Sequence, residues 1–317
     1  MGLRTDCRFI GFRKSATLSG LGLVIVMAAT ACNREGSNRD SLALSMQSDS
    51  VPVLVGAGDI ADCKSDGAAR TAQLLDSIRG TIFIAGDVAY QTKKNPQPLV
   101  TCFDPTWGRH RARIRPALGN HEYSDEGAQS YFDYFGDRAG PRPGGYYSYE
   151  LGSWHVIALN TNIPIDSGSP QEAWLRGDLS AHLGRCTVAY MHHPRFSSGP
   201  HSERARLIPF WRTFAGYGVS VVIAGHDHLY ERFALLDGDG NPDTLRGVRQ
   251  FVVGTGGAHR YELSTVLPGS EAHSSDAFGL LKLSLLPDRY RWEFIPVQAN
   301  GFRDRGESSC RPTHAAG

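Results

Sequence analysis

The sequence lacks a surplus of charge of either sign. Its 317 residues include 33 lysines and arginines and 32 aspartates and glutamates, so the formal net charge is only +1. A nearly neutral chain has no broad electrostatic attraction to nucleic acid or to an anionic membrane surface. Nucleic-acid binding is therefore not predicted, and any partner has to be inferred from a local site.

Motifs of several large enzyme classes are also missing. The chain has no Gly-x-Ser-x-Gly nucleophile elbow, and residues 254–257 lack the lysine and the spacing of a phosphate-binding P-loop. His121-Glu122 lacks the second histidine of a zinc-protease helix. Residues 237–241 begin like a calcium loop, but Pro242 stands where the sharp-turn glycine belongs. We interpret residues 237–241 and 254–257 as turns.

The apolar run near the N-terminus is too short and too weakly bounded to predict a membrane span. Residues 16–31 are rich in Leu, Val, Ile and Ala and follow four basic residues, which is typical of a signal peptide. Small residues at positions 29 and 31 suit ordinary cleavage, whereas Cys32 directly after them resembles a bacterial lipoprotein site. We predict export, with a signal peptide over residues 1–31 and a flexible tether over 32–50. Secretion, a periplasmic location and a membrane-anchored lipoprotein held through Cys32 all stay open.

Cysteines are few, at six. Cys7 falls in the predicted signal peptide, and acylation of Cys32 would leave an even number in the mature chain. The remaining four could form two disulfides in an oxidising compartment. Spacing does not determine the pairing, and our hypothesis joins neighbours along the chain, Cys63 with Cys102 and Cys186 with Cys310. The alternative is that they are buried thiols or that one is a metal ligand.

Two patterns divide the predicted folded domain, which spans residues 51–310 and leaves 311–317 as a tail. In the first part, apolar runs that predict strands alternate with helical segments. From Tyr230 onward the pattern is purely β, with runs near 230–236, 248–253, 280–285 and 290–297. This order predicts an α/β fold in which two mixed sheets pack together and helices lie outside.

The predicted helices have recognisable ends. The first places Leu74, Leu75 and Ile78 on one face and closes at Gly80. The second begins at a capping box in residues 169–172 and runs to about Leu183, and a third lies around 204–215. Residues 144–162 predict an antiparallel hairpin, and residues 91–115 predict loops with a short helix.

Polar side chains with metal-binding chemistry follow the apolar runs. Asp87 comes directly after the run at 81–85, and comparable places hold Asp59, Asn120, His121, His192, His226 and His228. Sites in open α/β sheets form beyond the carboxyl ends of strands, and carboxylate, amide and imidazole donors suit a divalent or trivalent metal. A lone histidine after a strand is more often a structural residue, but five motifs together predict a two-metal site bridged by Asp87. The motifs are Gly58-Asp59, Gly86-Asp87-Val88-Ala89-Tyr90, Gly119-Asn120-His121-Glu122, Met191-His192-His193-Pro194 and Gly225-His226-Asp227-His228.

A glycine directly precedes four of the donor motifs, at positions 58, 86, 119 and 225. A sharp exit from a strand, or a close approach of two backbones, requires a residue without a Cβ atom. Ordinary turn glycines would explain the glycines but not the donors behind them.

The five motifs resemble the five blocks of the calcineurin-like metallophosphoesterases, and Tyr90, three residues after Asp87, is similar to the purple acid phosphatase branch. The resemblance covers nearly all of residues 51 to about 310 and implies a four-layer αββα sandwich. Ala61 departs from the glycine that is common in plant and animal members. The extra β-domain of plant members is not expected, because residues 33–50 are too few to form it.

The resemblance also implies the ligands. It places Asp59, Asp87, Tyr90 and His228 on a first metal, and Asp87, Asn120, His192 and His226 on a second. The phenolate of Tyr90 would favour a hard trivalent ion, which the family fills with iron(III). The second ion would be iron(II), zinc or manganese.

The implied function is hydrolysis of small phosphate monoesters, in which a metal-activated hydroxide attacks the phosphoryl group. His121 would donate to the phosphoryl or leaving oxygen, with Glu122 setting its tautomer. His201 would contact the phosphate or protonate the leaving oxygen, and its alternative is a surface histidine without a role. A phosphodiesterase or nucleotide-cleaving enzyme with the same metals, and a non-catalytic metal-binding protein, remain the alternatives.

Overall fold

The structure is a computed structural model and describes residues 51–201 and 205–315. The predicted signal peptide, the tether and the lipidation site at Cys32 lie outside the described residues. The strands are β1 Val53–Ala57, β2 Thr81–Ala85, β3 Ile114–Ala117, β4 Tyr147–Leu151, β5 Trp154–Ala158, β6 Cys186–Tyr190, β7 Val221–Ala224, β8 Tyr230–Leu236, β9 Val248–Val253, β10 Ser270–Ser274, β11 Gly279–Leu285, β12 Arg289–Pro296 and β13 Arg305–Ser309.

Four α-helices and several shorter turns of helix connect the described strands. The α-helices are α1 Gly67–Ser77, α2 Gln129–Phe135, α3 Pro170–Ala181 and α4 Ile208–Tyr217. One π-helical turn spans Leu99–Phe103, and 3₁₀ turns span Trp107–Arg113, His121–Ser124, Glu126–Ala128 and Gly136–Ala139.

The strands form two mixed sheets, as predicted. The six-stranded sheet has the order β13-β12-β11-β1-β2-β3, and the seven-stranded sheet has the order β10-β8-β9-β7-β6-β5-β4. β1, β2 and β3 are parallel in the first, and β5, β6, β7 and β9 are parallel in the second. In each sheet the carboxyl ends of the parallel strands therefore meet at one edge.

Alternate residues of the central strands face two different apolar cores. Val188 and Tyr190 of β6 belong to the apolar core shared with the six-stranded sheet. Ala189, between them, belongs to the core under the helices, with Leu175 of α3 and Trp211 of α4. This period of two is what a strand buried on both faces requires. The result is the four-layer αββα sandwich that the resemblance implies.

Two edge strands and some helix ends differ from the sequence prediction. β10 and β13 carry polar, partly exposed residues and no apolar run, so the hydrophobic pattern does not reveal them. α3 ends at Ala181 rather than near Leu183, and α4 begins at Ile208 rather than near residue 204. The predicted cap of α3 forms, because the Ser169 side chain accepts a hydrogen bond from the Glu172 amide at 3.3 Å.

Both hypothesised disulfides are present, Cys63–Cys102 and Cys186–Cys310. The second joins β6 of the seven-stranded sheet to the residue that follows β13 of the six-stranded sheet. The chain after Cys310 also contacts the domain, because the amide of Thr313 donates to the Arg185 carbonyl at 2.7 Å. Disulfides indicate an oxidising compartment. Within the described ranges, no helix combines the length and the hydropathy needed to cross a membrane.

Candidate metal centre

The predicted donors come together where the two sheets meet. Each follows the carboxyl end of a parallel strand, as the open-sheet rule requires. The six-stranded sheet supplies the oxygen donors, Asp59 after β1, Asp87 and Tyr90 after β2, and Asn120 after β3. The seven-stranded sheet supplies the imidazoles, His192 after β6 and His226 and His228 after β7.

Three of these residues have a left-handed backbone. Asp59, Asp87 and His226 have φ angles of 61°, 50° and 69°, and Ala128 is the only other non-glycine residue with positive φ among the described residues. Such a conformation costs roughly 1–2 kcal/mol per residue, because Cβ crowds the following carbonyl. Strain of this kind persists where the surrounding structure imposes it, and it concentrates at functional sites.

Two glycines show why the donors need neighbours without a side chain. A Cβ atom on Gly119 would lie 2.2 Å from Oδ1 of Asp87. Gly86 has a φ of +78°, and a Cβ atom there would lie 2.4 Å from the ring of His192. Gly119 permits the close approach of Asp87 within the six-stranded sheet, and Gly86 permits the approach of His192 from the seven-stranded sheet.

The first group of donors contains Asp59, Tyr90 and His228. The Tyr90 hydroxyl donates to Oδ1 of Asp59 at 3.0 Å and lies 3.0 Å from Nε2 of His228. That Nε2 is 3.2 Å from the same Asp59 oxygen. Ligands held at right angles about 2.1 Å from one ion would be about 3.0 Å apart. The three atoms therefore have the mutual spacing of ligands to a single ion.

The second group contains Asp87, Asn120, His192 and His226. Nε2 of His192 lies 3.0 Å from Oδ1 of Asn120, 3.1 Å from Nδ1 of His226 and 3.3 Å from Oδ2 of Asp87. Asp59, Asp87 and His192, which are all buried, also place one donor atom each within 4.8 Å of one another. Asp87 and His192 therefore connect the two groups.

Backbone carbonyls orient two of the imidazoles. Nδ1 of His192 lies 2.9 Å from the Ala85 carbonyl oxygen, and Nδ1 of His228 contacts the His259 carbonyl oxygen. A carbonyl only accepts, so Nδ1 carries the hydrogen in both rings, and Nε2 of a neutral ring is free to bind a metal. The residues present therefore fit a pair of metal ions.

Electrostatics also favours bound cations. Burial raises the pKa of Tyr90 well above its usual value, and the carboxylates of Asp59 and Asp87 raise it further. Burial lowers the pKa of His192, but the Asp87 carboxylate outweighs it and raises this pKa to about 9. Without bound metal ions, the side chains of Tyr90 and His192 are therefore protonated at neutral pH. Metal binding would displace these protons.

The two predicted outer residues, His121 and His201, also lie at the centre. The His121 ring is 4.4 Å from the Tyr90 ring, and its Nε2 is 3.9 Å from Oδ2 of Asp87. The His201 ring is 5.1 Å from the His226 ring, and its Nδ1 is 3.0 Å from Oδ1 of Asp227. Their side chains are 39% and 43% exposed, so both can reach a ligand from solvent.

Glu122 has a different position from the one expected. Its carboxylate accepts hydrogen bonds from the amides of Asp87, Val88 and Gly119 at 3.0, 2.9 and 2.6 Å, and it does not set the tautomer of His121. Burial and the nearby Asp87 raise the pKa of Glu122 to about 8, although the backbone amides oppose this rise. Glu122 holds the backbone that carries the central aspartate, because buried amides need acceptors.

The sequence prediction missed three residues at the centre. Tyr261 stacks on His228 with ring centroids 4.1 Å apart, and it belongs to a loop that carries no motif. Asp227, fully buried, binds His201, and His193 lies 4.5 Å from the His226 ring. Asp227 and His193 stand inside motifs that the sequence did single out, so their position was the available signal.

The family model for the calcineurin-like phosphoesterases matches residues 53–230, which is more than half of the chain. The chain belongs to the calcineurin-like phosphoesterase family. The matched region begins at β1 and ends at the first residue of β8, so it contains every strand that carries a predicted metal ligand.

This calcineurin-like phosphoesterase is similar to plant purple acid phosphatases. It is 25% identical over 196 residues to purple acid phosphatase 23 of Arabidopsis thaliana, covering 50% of this chain and 43% of that protein. It is 28% identical over 197 residues to purple acid phosphatase 15 of the same plant, covering 51% and 37%. The chain thus spans about two fifths of the length of these relatives.

A solved structure of the purple acid phosphatase PPD1 from yellow lupin seeds is similar in fold. It aligns with a TM-score of 0.67 and 19% identity, covering 81% of this chain and 53% of that protein. At this identity the likeness shows the fold, and it confirms the sandwich architecture.

Proposed function

We propose that the protein is a binuclear metal-dependent hydrolase of phosphate monoesters. The observation that supports this most strongly is the convergence of seven donors from two sheets into two groups connected by Asp87 and His192. Asp59, Asp87, Tyr90 and His228 would hold one ion. Asp87, Asn120, His192 and His226 would hold the other. When bound, such a pair supplies Lewis acidity that activates water and offsets phosphoryl charge.

The protein's own residues would position the ester and move its protons. His121 and His201 flank the donors and are exposed enough to hydrogen-bond the phosphate or protonate the leaving oxygen. Asp227 holds Nδ1 of His201, which leaves Nε2 for the ligand. The buried carboxylate of Glu122 keeps the loop after β2 in place through its three amide hydrogen bonds.

Turnover of aryl phosphate monoesters and aryl phosphate diesters is the test, with metal content measured on the same preparation. We expect two metal ions per chain and a higher kcat/KM for the monoester. A higher kcat/KM for the diester would show that the protein is a phosphodiesterase instead. Two bound ions with no hydrolysis of either ester would favour a non-catalytic metal-binding protein, and an active protein without metal would contradict the proposal.

For the metals, we propose iron(III) on Tyr90 and iron(II), zinc or manganese in the other position. A phenolate bound to iron(III) gives a visible charge-transfer band, which we expect in the iron-loaded protein and not in Tyr90→Phe. Tyr261→Phe is the matched control, because this tyrosine stacks on His228 without binding the donor oxygens. A colourless iron-loaded protein, or a band that persists in Tyr90→Phe, contradicts the assignment.

We also propose export, supported by the two disulfides. Mass spectrometry of the mature N-terminus distinguishes a lipid-modified Cys32 from ordinary cleavage. An intact N-terminus that retains residues 1–31 would contradict export with cleavage.

A further inference from the structure

A cavity of about 270 Å³ is lined by His121 but by none of the seven predicted metal ligands. Its lining includes Pro98 and Leu99 together with Tyr131 and Tyr134 of α2. Apolar and aromatic groups therefore make up a large part of the lining. The volume accommodates a group of about one ring, rather than a polymer.

Two residues that line the cavity, His121 and Glu122, connect it to the proposed chemistry. His121 lines it and also contacts the centre, where its amide donates to Oδ1 of Asp87 at 2.9 Å. Among the described residues, His201 does not line this cavity. A phosphate bound at the metal ligands would therefore have the cavity on the His121 side, available to the rest of the ester.

Carboxyl groups line the cavity. They belong to Glu122, Asp125 and Asp133, and none of the described lining residues is a lysine or an arginine. Arg142 pairs with Asp133 and offsets its charge. The Glu122 carboxyl group accepts hydrogen bonds from three backbone amides, which leaves Asp125 available to a ligand. A second anionic group on the ester would be repelled here, whereas a cationic nitrogen or a hydroxyl would be favoured.

Asp125 has an unused acceptor. Its Oδ2 accepts a hydrogen bond from the Ser130 amide at 2.9 Å. Its Oδ1 is shielded from solvent and has no hydrogen-bond partner. An unpaired buried acceptor costs free energy that a donor from a ligand would recover. Because Asp125 lines the cavity, a donor on a ligand bound there would be next to this carboxylate.

We propose that this cavity binds the alcohol part of the substrate, and that Asp125 selects alcohols with a compact apolar or aromatic body and an ammonium or hydroxyl group. The inference rests on the proposed phosphatase function and adds the substrate class. It makes Asp125 a specificity residue, because the leaving alcohol and not the phosphate contacts it.

Three aryl phosphates test the proposal, with a 2-aminoethyl, an ethyl or a 2-carboxyethyl group at the para position. The two-carbon spacer keeps the acidity of the leaving phenol similar, so differences in kcat/KM report binding of the substituent. We expect the ammonium ester to exceed the ethyl ester by about tenfold, the size of one charge-assisted hydrogen bond. The carboxylate ester should be the poorest substrate.

Asp125→Asn should reduce the preference for the ammonium ester over the ethyl ester to about twofold or less, because the charge is lost. Asparagine keeps an acceptor for the Ser130 amide, and an unchanged melting temperature verifies that the fold is intact. Glu126→Gln is the matched control, since this neighbouring carboxylate is exposed and does not line the cavity. It should leave the preference as in the wild type.

Equal kcat/KM values for the three esters, or a preference that survives Asp125→Asn, would overturn the inference and leave the phosphatase proposal intact. If none of the esters is hydrolysed, the phosphatase proposal fails instead. Calorimetric titration with 4-(2-aminoethyl)phenol then tests binding to the cavity without hydrolysis. If the phenol binds and Asp125→Asn weakens its binding, the inference about the cavity is supported. If the phenol does not bind, or binds equally well to Asp125→Asn, the inference is overturned.

Discussion

The two sheets contribute different chemistry to one centre. The six-stranded sheet ends in oxygen donors with two left-handed aspartates, and the seven-stranded sheet ends in imidazoles. Hydrogen bonds between the sheets position the donors. The Ala85 carbonyl of β2 orients His192, and the Asp59 carboxylate accepts a hydrogen bond from the His226 amide at 2.8 Å. Neither sheet holds a complete ligand set. The proposed metal affinity therefore depends on the junction between the sheets.

The largest expected effect comes from removing the central oxygen donor. Asp87→Ala should lower the affinity for both metals by more than about 100-fold. Replacing a residue that only hydrogen-bonds a metal ligand already lowers affinity by about 10- to 100-fold. Hydrolysis should fall to background. Metal content by mass spectrometry and turnover check this outcome. A variant that keeps one ion and full turnover would show that the junction does not depend on Asp87.

The second effect concerns the covalent link between the sheets. Replacing Cys186 and Cys310 by alanine should lower the free energy of unfolding by about 5 kcal/mol in the chain-entropy model, for a loop of 124 residues. The matched change at Cys63 and Cys102, a loop of 39, should cost about 4 kcal/mol.

Denaturant unfolding of both double variants measures these costs. The Cys186–Cys310 variant should keep its metal affinity, because Cys186 lies at the start of β6, at the opposite end from His192. Loss of metal without loss of stability in that variant would contradict the distinction between the two ends of the sheets.

The third effect distinguishes the outer histidines from the ligands. His201→Ala should keep both ions and lower kcat by about 100-fold for esters with poor leaving groups, which is the contribution expected of a general acid. Esters with good leaving groups should lose less. A small, uniform loss across esters would return His201 to the role of a surface residue and leave His121 as the remaining candidate acid.

The smallest effect tests an ion pair that crosses from one sheet to the other. Asp304, just before β13, binds Arg232 of β8 at 2.7 Å. Burial raises the pKa of Asp304, but hydrogen bonds from Arg232 and Tyr230 outweigh it, so the folded pKa is below its usual value. This contribution is therefore present above the unfolded pKa of about 4 and is lost as pH falls through the folded pKa.

Asp304→Asn should accordingly destabilise the protein by about 1–3 kcal/mol at neutral pH, and by less at acid pH. Unfolding curves measured between about pH 3 and pH 7 check this dependence. Equal destabilisation at every pH would show that the charge of Asp304 does not contribute.

Much of the fold could be predicted because burial imposes a period of two on the central strands. The edge strands β10 and β13 were not predicted, because a half-exposed strand shows no apolar run. The hairpin of β4 and β5 was predicted because its residues alternate around Gly152. The ends of α3 and α4 shifted by a few residues, because tertiary packing rather than propensity decides where a helix stops.

The sequence by itself determined the identity and the order of the candidate ligands, because each stands a few residues after an apolar run that must be a buried strand. Only the tertiary structure decided which atoms meet. Tyr90 and His228 are 138 residues apart in the chain, yet their donor atoms are 3.0 Å apart. Glu122 accepts hydrogen bonds from backbone amides, Asp227 hydrogen-bonds His201, and Tyr261 stacks on His228. Periodicity and propensity act over a few residues, whereas these contacts depend on how two sheets pack against each other.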